Sequence, residues 1–176
     1  MTATAQPNAS RTKRIAAATA IATALAVPAE GIRRVAYYDP PGVLSVCMGS
    51  TTDVDPNHVY SLDECWARLD KDMQAAVTAV DECIPDLPEQ ALAALGDAAY
   101  NLGSKIVCNA SASTLARKAK AMDWSGMCNE LPRWDKASVG GYMVALPGLT
   151  KRRALERNLC LEGFRFSGDL IGWSQR

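Results

Sequence analysis

Between Ser61 and Cys83 the apolar side chains Leu62, Trp66, Leu69, Met73, Val77 and Val80 recur every three or four residues, which places them on one face of a helix. The segment opens S-L-D-E, a capping box in which Ser61 and Glu64 satisfy orphan amides of the first turn. One long amphipathic helix is expected there. Pro85 and Pro88 interrupt the pattern, and Pro88 is placed to open a second helix from Glu89 to Leu102, closed by Gly103. Further helical patterns run over Ser113 to Ala121, Trp124 to Leu131 and Thr150 to Leu161. Nearer the N-terminus the pattern changes. Val35 to Tyr38 and Val43 to Met48 are rich in β-branched and aromatic residues and flank the turn signal D-P-P-G, so a small hairpin or meander is expected. Residues 30 to 165 contain no internal repeat or low-complexity linker. The layout is α+β: a small β-containing lobe followed by a larger helical lobe.

The first 29 residues follow a different rule. A basic stretch, M-T-A-T-A-Q-P-N-A-S-R-T-K-R, precedes an uncharged run from Ile15 to Ala29, the form of an export signal. As a membrane span the run is short, since fifteen helical residues reach about 22 Å against a hydrocarbon thickness of about 30 Å. Eight of the fifteen residues are alanine and two are threonine; Ile15, Ile21, Leu25 and Val27 alone are strongly apolar. Together those four supply roughly 2 kcal/mol of insertion energy, so the segment enters a bilayer but is weakly held. A cleavable signal peptide is the competing reading, with small residues in Ala24-Leu25-Ala26 and Val27-Pro28-Ala29. Both readings export the rest of the chain.

Export changes the meaning of the six cysteines, Cys47, Cys65, Cys83, Cys108, Cys128 and Cys160. In an oxidising compartment they form a disulfide framework. No C-x-x-C pair occurs and His58 is the single histidine, so no metal site and no cofactor are expected. The chain of 176 residues has 19 lysines plus arginines and 19 acids, so no global field points to nucleic acid. The expected organisation is an export signal or anchor over 1–29, one domain over 30–165 and a tail over 166–176, as a monomer.

The chemistry concentrates where the apolar run ends. Glu30 directly follows it, Asp39 stands nine residues on, and Ser45 six beyond that. Hydrolysis of a glycosidic bond needs a protonated carboxyl to donate to the leaving oxygen and a second carboxylate for water or the anomeric carbon. A glutamate beside an apolar segment is desolvated and stays protonated, whereas an aspartate on a hairpin is the more solvated, ionised partner. Ser45 is placed to hold the water. An acid pair at this spacing also arises by chance in a chain with 19 acids.

The surrounding residues add weight. E-G-I-R-R-V-A-Y-Y-D-P-P-G-V-L-S-V-C-M-G-S-T resembles the active-site signature of the phage-type lysozymes, the endolysin family, at Glu30, Gly31, Tyr37, Asp39, Gly42, Cys47, Gly49 and Thr51. Ser45 takes the family's threonine position, and Met48 stands where histidine or tyrosine is usual. Four further stretches resemble the family's helical-lobe motifs in order: A-A-Y-N-L-G (98–103), S-T-L-A-R-K (113–118), C-N-E-L-P-R-W (128–134) and G-L-T-K-R-R-A-L-E-R-N-L-C (148–160).

The resemblance, over residues 30 to about 163, implies a lysozyme-like fold with a peptidoglycan-binding cleft between the lobes. It implies Glu30 as general acid and Asp39 as the residue that positions water. Asn101 and Arg133 are the expected substrate-binding residues, although Asn101 would also serve as a helix cap before Gly103. Lys151, Arg152 and Arg153 either contact Glu30 or form a solvated charged face. Trp66, Trp124 and Trp134 are expected in the core rather than as sugar platforms, and His58 is given no role. Six cysteines allow fifteen pairings; sequence order and the resemblance favour Cys47 with Cys65, Cys83 with Cys108, and Cys128 with Cys160.

The leader resembles that of the signal-arrest-release branch of the family, in which a weak N-terminal helix tethers an inactive enzyme to the host inner membrane, facing the periplasm, until it leaves the bilayer. No cysteine precedes Cys47, so a leader thiol cannot drive activation here. The partners implied are peptidoglycan and the inner membrane. A chitinase-like hydrolase on the same scaffold and an inactive cell-wall binding protein are the alternatives.

Overall fold

A computed structural model describes residues 9–28, 31–39 and 42–167 of the chain. The N-terminal segment forms a helix, α1 (Ala9–Ala26), and a hairpin of β1 (Arg33–Tyr38) and β2 (Leu44–Cys47) follows. Helices α2 (Leu62–Cys83), α3 (Glu89–Leu102), α4 (Lys105–Cys108), α5 (Thr114–Lys120) and α6 (Trp124–Glu130) succeed one another. A 3-10 turn (Leu131–Trp134), a second hairpin of β3 (Lys136–Val139) and β4 (Tyr142–Ala145), and the closing helix α7 (Pro147–Ser167) complete the chain. The fold is the expected α+β arrangement, mostly helical.

Helix α3 is its centre. Residues Ala91 to Ala99 are all buried, because α1, α2 and α7 each pack along it. A helix apolar all round belongs inside a core, and small residues let its neighbours approach closely. A Cβ added at Gly96 would sit 2.5 Å from Val77 Cγ2 of α2, and one at Gly163 of α7 would sit 2.8 Å from the Ala91 amide nitrogen.

The capping box forms as expected: the Glu64 amide donates to Ser61 Oγ at 3.2 Å, and the Ser61 amide donates to Glu64 Oε2 at 2.7 Å. The expected stripe of α2 is buried from Leu69 onwards but not at its start. Leu62 and Trp66 are 51% and 43% exposed, and the core positions are Cys65, Leu69, Met73, Val77 and Val80. The disulfide from Cys65 to Cys47 turns that side of the helix towards β2 and leaves Trp66 outside. Trp124 and Trp134 are half-buried, and Trp124 stacks on Phe164 of α7 with centroids 5.4 Å apart. His58 Nε2 donates to Glu64 Oε1, 2.9 Å away, and the ring packs edge-on to Tyr60.

Disulfides join Cys47 to Cys65, Cys83 to Cys108 and Cys128 to Cys160, the pairs that sequence order favours. Each closes a loop worth about 3 kcal/mol by restricting the unfolded chain. Cys47, Cys65, Cys128 and Cys160 are buried, while Cys83 is exposed.

The N-terminal helix is part of this core rather than an appendage to it. Ala18, Ala22 and Ala26 are fully buried against α2 and α3, whereas Ala16, Ala20 and Ala24 face outwards. Thr19 Oγ1 donates to the Ile15 carbonyl at 2.8 Å, which hides its polar group within the helix. Among the described residues no helix is long and apolar enough to cross a membrane.

Candidate active site

The first hairpin builds one wall of the site. Strands β1 and β2 pair antiparallel with Tyr37 opposite Ser45 and Tyr38 opposite Leu44, and the register shifts between Arg33 and Tyr37. Asp39 closes the turn with its backbone: its amide donates to the Val43 carbonyl at 3.0 Å and its carbonyl accepts from Gly42 at 2.8 Å. Gly42 has φ +84°, a conformation that glycine adopts without strain.

Both carboxylate oxygens of Asp39 are oriented by neighbours. Oδ1 accepts the Val43 amide at 2.7 Å, and Oδ2 lies 3.4 Å from the buried Ser45 hydroxyl. Ser45 Oγ is also 3.3 Å from the Val43 carbonyl, so the hydroxyl proton has two acceptors within reach. The pair faces a cleft of about 550 Å³, lined by Tyr37, Asp39, Ser45 and Gly49 on one side. Tyr100, Asn101 and Leu102 from the end of α3, Lys136, Ala137, Ser138 and Met143 from the second hairpin, and Leu149 of α7 line the rest. The Tyr100 hydroxyl donates to the Met48 carbonyl at 2.5 Å, tying the β lobe to α3 across the cleft.

Asn101 is the third sequence-derived residue at the cleft. Its Oδ1 is buried and no protein group donates to it, so it offers an acceptor to an amide N–H entering from the cleft. Arg133 is not brought to the cleft. Its guanidinium is 73% exposed and ion-pairs with Glu130 at 3.3 Å. Glu30, expected as the general acid, lies outside the described residues.

The basic run at 151–153 is not a solvated face. Lys151 is exposed, but Arg152 and Arg153 are buried because α7 lies on α3, whose buried Asp97 requires a cation. Arg152 donates to Asp97 through Nε at 3.0 Å and Nη2 at 2.6 Å, and Arg153 Nη2 lies 2.5 Å from Glu156 Oε1. Burial, followed by a hydrogen bond with Asp97, pushes the Glu156 carboxyl up to about 10 against the opposing pull of Arg153 and Arg152. Sequence reasoning missed Asp97 and Glu156. The signals were an aspartate inside the apolar helix A-L-G-D-A-A-Y and an acid three and four residues after an arginine pair.

A two-lobed α+β body with a carboxylate-bearing hairpin over a cleft is the architecture of the lysozyme class. Residues 27–156 match the phage lysozyme family, and the chain belongs to it. The SAR-endolysin of Bacteriophage PS119 is 40% identical over 136 residues, which cover 76% of this chain and 77% of that protein. The SAR-endolysin of Enterobacteria phage P21 is 38% identical over 136 residues, with 76% and 78% covered. The crystal structure of the active form of the P1 phage endolysin Lyz superposes with a TM-score of 0.66 at 30% identity, covering 82% of this chain and 84% of that one.

Proposed function

We propose that this endolysin-family chain hydrolyses the β-1,4 bond between N-acetylmuramic acid and N-acetylglucosamine in peptidoglycan, with Glu30 as general acid and Asp39 as the carboxylate that orients the attacking water. The observation that carries the reading is the hydrogen-bonded Asp39–Ser45 pair facing the same cleft as the unpartnered Asn101 oxygen. Asp39 Oδ2, with one hydrogen bond from Ser45, has a lone pair left to accept a proton from water, and the Ser45 oxygen accepts a second contact. Asn101 Oδ1 accepts the N–H of an N-acetyl group and so fixes the sugar ring in the cleft. Glu30 protonates the leaving oxygen as water attacks from the Asp39 side, which inverts the anomeric centre.

Digestion of purified peptidoglycan followed by analysis of new reducing ends tests this. Muramic acid ends support it; glucosamine ends, or turnover of chitin alone, overturn the bond assignment. Glu30→Gln cannot donate a proton and is expected to lose about 100- to 10,000-fold in turnover. Asp39→Asn loses less, because it weakens the orientation of water without removing proton donation to the leaving group. Asn101→Ala raises KM with a smaller change in kcat, since it removes a contact made before the transition state as well as in it.

We propose further that residues 15–29 first tether the exported chain to the host inner membrane and then leave the bilayer, giving a monomeric periplasmic enzyme. The weak alanine-rich composition supports this, as does the SAR-endolysin name of the relatives. The helix α1 seated on the body is then the released state. Fractionation of expressing cells tests the sequence of events: the uncleaved chain moves from membrane to soluble fraction as activity appears. A chain that is soluble from the outset, or shortened by removal of the leader, overturns it.

A further inference from the structure

We propose that Arg11 and Arg14 form a latch that fastens the released N-terminal helix in register on the body, with the acidic notch at the end of α2 as its receptor; this rests on the release reading above. The Asp81 side chain is 1% exposed, and both of its oxygens are engaged by α1. Arg11 Nε donates to Oδ2 at 2.6 Å and Arg14 Nη2 donates to Oδ1 at 2.5 Å, while Arg14 Nη1 reaches Asp86 at 3.4 Å. Glu82 also lines the notch, and its cations among the described residues come from α1 alone.

These pairs span 70 and 67 residues of sequence, so they exist only when α1 is seated. Lifting α1 away opens Asp81 to water. Seating α1 without the guanidinium groups would bury a carboxylate with no counter-charge, which is strongly unfavourable. The rest of the interface sets the register only weakly. Its buried alanines are Ala18, Ala22 and Ala26, beside Thr19, so a slip of four residues still lays alanine on alanine at two of those three sites while moving the chain by about 6 Å along the helix axis. Glu30 follows Ala26 by four residues, and such a slip would carry the general acid with it. A buried ion pair at one defined position removes the degeneracy, as single buried polar groups do in other helix packings.

The same two arginines precede the apolar run, where basic residues hold the cytoplasmic side of an inserted segment. They reach Asp81 only after the whole helix has crossed out of the bilayer. The latch therefore closes on completed release and not on partial withdrawal.

Asp81→Asn in the full-length exported chain separates the latch from export, because it leaves the charge of the leader untouched. Two readouts are taken on the soluble fraction: the rate of tryptic cleavage after Arg11, Lys13 or Arg14, and lytic activity. Losing a charge-assisted pair is expected to accelerate cleavage and to lower activity by about tenfold or more, whereas Asp86→Asn, at an exposed carboxylate, stays within about twofold. Arg11→Gln with Arg14→Gln is expected to accelerate cleavage after Lys13 to a similar extent. Thiol titration with no free cysteine shows that the body has folded; where thiols appear in Asp81→Asn, the double arginine variant, whose body is unchanged, decides by the same readouts. Wild-type cleavage rate and activity in Asp81→Asn overturn the latch. Impairment confined to the arginine variant also overturns it, since the arginines then act in export alone. If wild-type enzyme never passes through the membrane, the release reading fails, while tryptic protection still decides the latch.

Discussion

Glu156 shows how one buried residue ties the stability of the helical lobe to pH. Its carboxyl is raised from 4.5 to about 10, so above the lower value the folded state holds a proton that the unfolded chain has lost. The contribution is therefore fully present below the unfolded value and is lost as pH rises towards the folded one. Glu156→Gln copies the protonated shape and does not titrate. Its stability relative to wild type should rise from about pH 5 to about pH 9, read as the difference in urea midpoints. The reverse trend would show that Glu156 is ionised and serves as counter-ion to Arg153. Glu64 has the opposite sign: hydrogen bonds from Ser61, the largest cause, and from His58 lower it from 4.5 to about 2, so its contribution is fully present above the unfolded value and is lost as pH falls towards the folded one.

At the scale of the element, that same pairing makes α2 a test of local sequence rules. Ser61→Ala removes the acceptor for the Glu64 amide but keeps the backbone donor to Glu64, and is expected to cost about 1 kcal/mol, seen as a lowered Tm. An unchanged Tm would mean that tertiary packing alone holds the first turn. The capping box, the first hairpin and the helix starting after Pro88 were legible in the sequence because each is set by contacts a few residues apart. Three features were not. The exposed side of α2 depends on a disulfide to another element, so Trp66 could not be placed by periodicity. The β3–β4 hairpin was announced only by V-G-G-Y, whose Gly140 and Gly141 take φ +57° and +85° as a tight hairpin turn requires. Helix α7 begins at Pro147 rather than Thr150 and continues to Ser167, beyond the periodic stretch. At the site, Asp39, Ser45 and Asn101 could be named from local motifs, whereas the Asp97–Arg152 pair joins residues 55 apart and needed the fold.

At the scale of the whole molecule, the proposed release asks the same alanines to suit two environments, which is why the fate of the N-terminal segment could not be read from composition alone. An alanine-rich helix is apolar enough to enter a bilayer and slim enough to lie against α2 and α3, and the structure divides its alanines between two faces. Ala18, Ala22 and Ala26 touch the body, while Ala16, Ala20 and Ala24 do not. Three leucines on either face add roughly 1.5 kcal/mol of insertion energy, so both triple variants should be retained in the membrane to a similar and greater extent than wild type. They should part company once extracted. The outer triple leaves the docked interface unchanged, and its soluble fraction should match wild type in activity per molecule. The inner triple forces large side chains into a packed seam, where overpacking costs about 1–3 kcal/mol per site, and its soluble fraction should be inactive and rapidly cut by trypsin in the leader. Equal activity of the two soluble fractions would show that enzyme function does not depend on α1 lying where the structure seats it. Unequal membrane retention would show that depth in the bilayer, and not total apolarity, governs the tether.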